Sequence, residues 1–223
     1  MSSKCLFILL STFLLVQSSF GKALTTTVKP DLSDVSESPV FKILFYVVTE
    51  FSQLADNFLN TGKKLFQDVI ADVSAQNNKN EQITARLDKY SKFVTKVEKL
   101  QATNSDETSE ESLFTDKFVL MTELKDLLYK SKSISTEKST SIDKLFDESL
   151  KKNGLSNLED QFKNEFEKFA TGFNETAEKV LNSVTIEQWP EKTKMRDLLK
   201  NFNTENDVEN KMSFLEKFLD LLK

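Results

Sequence analysis

The chain contains no histidine, and its only cysteine, Cys5, lies near its start. Without histidine, a Ser-His-Asp or Cys-His catalytic arrangement has no general base of the usual kind, and a zinc site loses its commonest nitrogen ligand. Glycine occurs four times and proline three times in 223 residues, and no proline stands between Pro39 and Pro190. A β-rich fold needs turn residues every 8–12 positions, so this scarcity argues against one. Arginine is also scarce, with Arg86 and Arg196 the only two. The overall balance is acidic, whereas a nucleic-acid-binding surface is basic and arginine-bearing, so a nucleic-acid partner is not expected.

The first residues have the makings of a secretion signal. Lys4 supplies a positive start, Leu6 to Val16 is an apolar run broken only by Ser11 and Thr12, and Ser19-Phe20-Gly21 offers small residues for cleavage. Cleavage is expected after Gly21, making residues 1–21 a signal peptide and the protein secreted and extracellular. The run is too short to span a bilayer, which takes roughly 20 apolar residues. Loss of this leader would remove Cys5, leaving a disulfide-free chain. It would also leave 29 basic against 35 acidic residues, a net charge of −6. About 200 residues can bury a sufficient core without disulfides.

Beyond the leader, residues 22–39 are polar and aperiodic, with Pro30 and Pro39, and read as a flexible N-terminal arm. Residues 40–223 read as a single helical-bundle domain of six or seven amphipathic helices, an all-α fold. From Val40, a helical stripe runs through Leu44, Val48, Phe51, Phe58, Leu65 or Phe66, Val69 and Val73. It forms one long helix or two joined near Asn60-Thr61-Gly62. Ile83, Leu87, Tyr90, Val94, Val97 and Leu100 mark the next helix. Residues 101–112 form an acidic polar loop, and Phe114, Phe118, Met121, Leu124 and Leu128 follow it at helical spacing. A capping box at Thr140-Ser-Ile-Asp143 opens a short helix ending at Asn153-Gly154, and a second at Ser156-Asn-Leu-Glu159 opens the clearest helix. Its apolar face is Leu158, Phe162, Phe166, Phe169, Phe173, Ala177, Val180 and Val184. Trp189-Pro190 sets proline at the first turn of a helix carrying Met195, Leu198, Leu199 and Phe202. Thr204-Glu-Asn-Asp207 caps the last, with Val208, Met212, Leu215, Phe218, Leu219 and Leu222.

Sixteen of the 19 phenylalanines lie beyond residue 21, against three tyrosines and one tryptophan. The stripe Phe162, Phe166, Phe169 and Phe173 is either a core face or the wall of a groove for a fatty acid or other lipid. Arg86, Lys89, Lys92, Lys96 and Lys99 form a basic strip beside Phe93, readable as a solvated face or as a peripheral contact with an anionic membrane. Ser105 and Ser109 each fit a Ser-x-Glu pattern and are candidate phosphorylation sites. The acidic loop around them lacks the spacing and glycine of a calcium hand, so no metal site is expected. Asn174-Glu175-Thr176 is the one glycosylation sequon, placed with Lys163, Glu167 and Glu178 on the polar side of its helix. Ser135-Thr-Glu-Lys138 and Ser141-Ile-Asp-Lys144 have a nucleophile–lysine spacing, but lack the accompanying Ser-Asp-Asn and Lys-Thr-Gly elements. They fit a polar linker and a helix start.

No catalytic residues and no cofactor are expected. What remains is a non-enzymatic binding protein, carrying a hydrophobic small molecule in a Phe-lined groove. The alternative is an extracellular protein-interaction protein, a defence, reproductive or host-directed effector acting through its surface. In composition and helix pattern the chain resembles cysteine-poor helical lipid carriers of invertebrate body fluids, such as the apolipophorin type and nematode fatty-acid-binding proteins. That resemblance implies a helical bundle and a lipid ligand.

Overall fold

The computed structural model describes residues 39–76, 80–102, 110–129 and 140–222, and among them every regular element is a helix. In chain order these are α1 (Pro39–Ser74), α2 (Glu81–Ala102), α3 (Glu110–Tyr129), α4 (Ser141–Lys152), α5 (Leu155–Ser183), α6 (Lys192–Thr204) and α7 (Val208–Asp220). The fold is all-α. The leader, the arm up to residue 38 and residues 103–109 of the acidic loop lie outside the described residues. Residues 101–102 and 110–112 of that expected loop are helical, ending α2 and opening α3.

Sequence signals explain most boundaries. Pro39 is the first residue of α1, where its missing N–H costs nothing because first-turn N–H groups have no helical partner. The helix then runs unbroken past Gly62, so the two alternatives for residues 40–73 resolve to one. Thr140 caps α4 through a reciprocal box: Asp143 N donates to Thr140 Oγ1 at 3.2 Å, and Thr140 N donates to Asp143 Oδ2 at 3.0 Å. Asn153 ends α4, and Gly154 follows with a φ of 106°, a conformation that favours glycine.

Three expected boundaries need correction. Ser156 does not cap α5: the helix begins at Leu155, directly after the left-handed Gly154, which puts Ser156 inside the first turn. Pro190 lies in the turn before α6, and Glu191 occupies the capping position without a side-chain hydrogen bond. Thr204 belongs to the end of α6, and Asp207 caps α7 by accepting from Asn210 N at 3.0 Å. A carboxylate also suits the positive end of the helix dipole.

The described residues group into two compact units, and the divisions fall inside α1 and α5. Unit 1 contains α1 up to Phe51, α5 from Glu165, and α6 and α7. Its core holds Ile43, Leu44, Val47, Phe51, Phe166, Phe169, Phe173, Ala177, Leu181, Leu199, Phe202, Leu215 and Phe218. Unit 2 contains the rest of α1, the three helices α2, α3 and α4, and the first turns of α5. There Phe66 stacks on Tyr90 at 4.2 Å between ring centroids, and Phe93 and Phe146 meet this pair edge-on. Such offset and edge-to-face geometries suit the ring quadrupole.

Two glycines set close approaches. In unit 2, a Cβ at Gly62 would overlap Leu124, coming within 3.2 Å of its Cγ, and Leu124 is fully buried. In unit 1, a Cβ at Gly172 would come within 2.8 Å of Tyr46 Cζ. That absence of a side chain lets Tyr46 Oη donate to the Phe169 carbonyl at 3.2 Å. Burial, with the carboxylates of Glu50 and Glu175 nearby, pushes the Tyr46 phenol up.

Candidate functional site

The phenylalanine stripe of α5 divides between the two units. Phe162, in unit 2, is half-buried and lies 4.9 Å from Phe58. Phe166, Phe169 and Phe173 belong to unit 1 and are buried. Phe169 is the hub there, with Tyr46, Phe51, Phe166 and Phe173 at centroid separations of 5.8–6.3 Å. Phe173 extends the set to Phe202 at 5.2 Å and Phe218 at 5.3 Å, both edge-on. Seven rings from four helices therefore form one connected cluster, with Tyr46 its only polar handle. In this structure the stripe is packed against rings.

A cleft of unit 1 lies elsewhere, between α5 and α6. It has a volume of about 410 Å³ and is lined by Glu178, Leu181, Asn182, Arg196, Leu199, Lys200, Asn203 and Thr204. Leu181 and Leu199 are buried, so the cleft floor is the outer edge of the same core that holds the rings. Its rim is polar. Arg196 Nη2 donates to Asn182 Oδ1 at 2.8 Å, tying two lining residues together. Lys200 sits one turn further along α6. Among the described residues, neither cation is in an ion pair. Asn203, also on the rim, donates through Nδ2 to Asn174 Oδ1. The sequon asparagine is thus half-buried and hydrogen-bonded beside the cleft. Sequence spacing marked Glu178, Arg196, Leu199 and Thr204 for other reasons and joined none of them into a site. The signal was present in Arg196, one of only two arginines, placed four residues from Lys200 on a helix.

The basic strip on α2 is partly drawn into ion pairs. Arg86 reaches α4, where its Nη1 donates to Asp143 Oδ1 at 3.2 Å and its guanidinium lies 4.4 Å from the Phe146 ring centre. Its Nε donates to Tyr90 Oη at 3.2 Å, and burial pushes that phenol up despite the nearby guanidinium. Lys96 pairs with Glu123 at 2.8 Å, and Lys92 with Asp88 at 2.6 Å. Arg86, Lys92 and Lys96 are therefore matched by carboxylates. Lys89 and Lys99 are exposed. Phe93, expected beside the strip, is fully buried against Phe66. It turns inward because it follows Tyr90 and precedes Val97 on the buried side of α2.

One hydroxyl–amine pair stands within catalytic distance. Lys117 Nζ donates to Ser52 Oγ at 2.8 Å and to Asp56 Oδ2 at 2.7 Å. In this geometry the amine is the donor to both partners, the reverse of a base that takes the serine proton. Ser52 also stands in mid-helix, where backbone N–H groups are engaged and supply no oxyanion hole. The arrangement is that of an ion pair with a hydroxyl partner. Ser105 and Ser109 lie outside the described residues, as do Ser135 and Lys138, while Ser141 is the first residue of α4. Among the described residues, no helix is long and apolar enough to cross a membrane.

No family model, curated protein or solved structure matches the chain. Its chemistry has to be read from its own residues.

Proposed function

We propose that the chain is a secreted, non-enzymatic helical-bundle protein that carries a hydrophobic small molecule, with unit 1 as the carrying part. The observation that carries this reading is the continuity of unit 1's apolar interior. The seven-ring cluster joins a core whose edge, Leu181 and Leu199, forms the floor of an open cleft. An apolar chain entering there exchanges ring–ring contacts for ring–chain contacts of similar size. Burial energy scales with area and not with partner identity, so the exchange offsets much of the cost of parting the helices. With Cys5 in the leader, no disulfide restrains that movement.

Secretion rests on the leader pattern at residues 1–21, and glycosylation at Asn174 follows from it as part of the same proposal. The non-enzymatic reading is supported by the lack of histidine and by the Asp56-held Lys117 beside Ser52. A second reading, docking to an extracellular protein, draws on Phe45. That ring is 58 % exposed and stacks on Phe41 at 5.8 Å.

The test is uptake of a fluorescent fatty acid by delipidated, refolded protein, alongside solvent extraction of protein purified from its own source. Saturable uptake with extractable lipid is expected. Neither uptake nor extractable lipid, with a specific protein captured instead, would move the assignment to the second reading.

A further inference from the structure

We infer that the α5–α6 cleft is a head-group site for a monoanion on an apolar tail, a carboxylate or a phosphate diester, read by Arg196 and Lys200. This rests on the carriage proposed above and specifies the ligand chemistry. Among the described residues, several cations at helix contacts have carboxylate partners: Arg86 with Asp143, Lys117 with Asp56, Lys152 with Asp72 and Lys211 with Glu167. Among the described residues, Arg196 and Lys200 have none, although they share a cleft. A guanidinium presents five N–H donors, and the bond to Asn182 uses one while fixing the plane of the fork. The donors that remain suit carboxylate or phosphate oxygens, which the planar fork binds in pairs.

Glu178 sets the charge of that ligand. With one carboxylate against two cations, the lining carries a single net positive charge, which one monoanion neutralises. Leu181 and Leu199 then provide an apolar seat for the first carbons of the tail. A volume of about 410 Å³ falls within the usual range for small-molecule sites, about 300–1,000 Å³. Sugars and other neutral polar ligands gain nothing from an apolar floor, and cations meet repulsion from Arg196 and Lys200.

The test uses the full secreted chain, labelled with ¹⁵N and titrated with octanoate, methyl octyl phosphate, octanol and octylammonium. Octanoate, methyl octyl phosphate or both are expected to shift amides of residues 178–182 and 196–204. Octanol is expected to bind roughly tenfold more weakly, and octylammonium to leave these amides unmoved. Arg196→Gln with Lys200→Gln should erase the preference for the anion over octanol, and Glu178→Gln should tighten anion binding. All three side chains are exposed, so circular dichroism unchanged by the substitutions is the folding control.

Equal shifts from octanol and the anions, or anion shifts confined to other residues, would overturn the inference. The fluorescent fatty-acid assay separates this from the parent reading. Long-chain uptake without an anion preference removes the head-group site and leaves carriage intact. Anion binding in the cleft without long-chain uptake leaves the site and removes carriage. Failure of both removes both.

Discussion

Replacing Phe173 by alanine is the perturbation that most directly separates a packed aromatic core from a loose one. Phe173 is 1 % exposed and touches Phe169, Phe202 and Phe218, so it joins α5 to α6 and α7. Buried Phe→Ala changes cost about 3–5 kcal/mol, combining lost transfer energy with the cavity left behind. Favourable ring pairs add about 0.5–1.5 kcal/mol each beyond area, and Phe173 has three partners. The cost is therefore expected near the top of the range, about 4–5 kcal/mol. With a urea m-value of about 2 kcal/mol/M, the midpoint should fall by about 2 M. Trp189, in the α5–α6 connection, reports unit 1 by fluorescence, and circular dichroism follows the whole chain. Using both probes keeps separate transitions from being fitted as one. Phe45→Ala is the internal control. The same side chain, exposed on the same unit, should cost about 0.5 kcal/mol or less. A Phe173→Ala cost below about 1.5 kcal/mol, or equal costs at the two sites, would refute the packed-cluster account.

Gly62→Ala is expected to destabilise, although replacing a mid-helix glycine with alanine ordinarily gains about 1 kcal/mol. The new methyl collides with fully buried Leu124, and overpacking costs about 1–3 kcal/mol, so denaturation should show a net loss in unit 2. Acid titration of stability tests the α4 cap. Hydrogen bonds from the Thr140 hydroxyl and backbone N–H, with Arg86 adding its charge, hold the Asp143 carboxyl below the usual carboxylate range. Its stabilisation is thus fully present above the unfolded value of about 3.9 and lost as pH falls through the lower folded one. Asp143→Asn should lower stability at neutral pH and flatten that acid-side loss, and an unchanged profile would contradict the cap's role. Glycosidase treatment of secreted protein should remove a single glycan's mass, and Asn174→Gln should abolish that change.

Local chemistry was the most legible part of the sequence. Thr140 and Asp143 are three residues apart, so their reciprocal bonds depend on nothing distant. Gly154 likewise announces a helix end through the one conformation it alone adopts easily. Ser156 and Thr204 misled because neighbours decide which eligible residue caps a helix. Leu155 can start α5 straight after Gly154, and Asp207 lies closer to the apolar stripe of α7. Helix periodicity located the buried faces well, including Phe166, Phe169 and Phe173. It does not say what a buried face meets, and so left core and groove wall open for the stripe. The cleft was illegible for a related reason. Its lining joins residues 178–182 to residues 196–204 across the turn at Trp189, and only folding brings them together. Ion pairing was equally hidden, since Arg86 finds Asp143 57 positions away. Nothing in the local pattern marks the grouping into two units, because its divisions fall within helices α1 and α5.

The most direct test of the central claim is native mass spectrometry of the secreted protein from its own source. The account predicts a polypeptide beginning at Lys22 that retains a hydrophobic anion, released on denaturation and extractable into organic solvent. A bare polypeptide that also takes up no fatty acid after delipidation would contradict it.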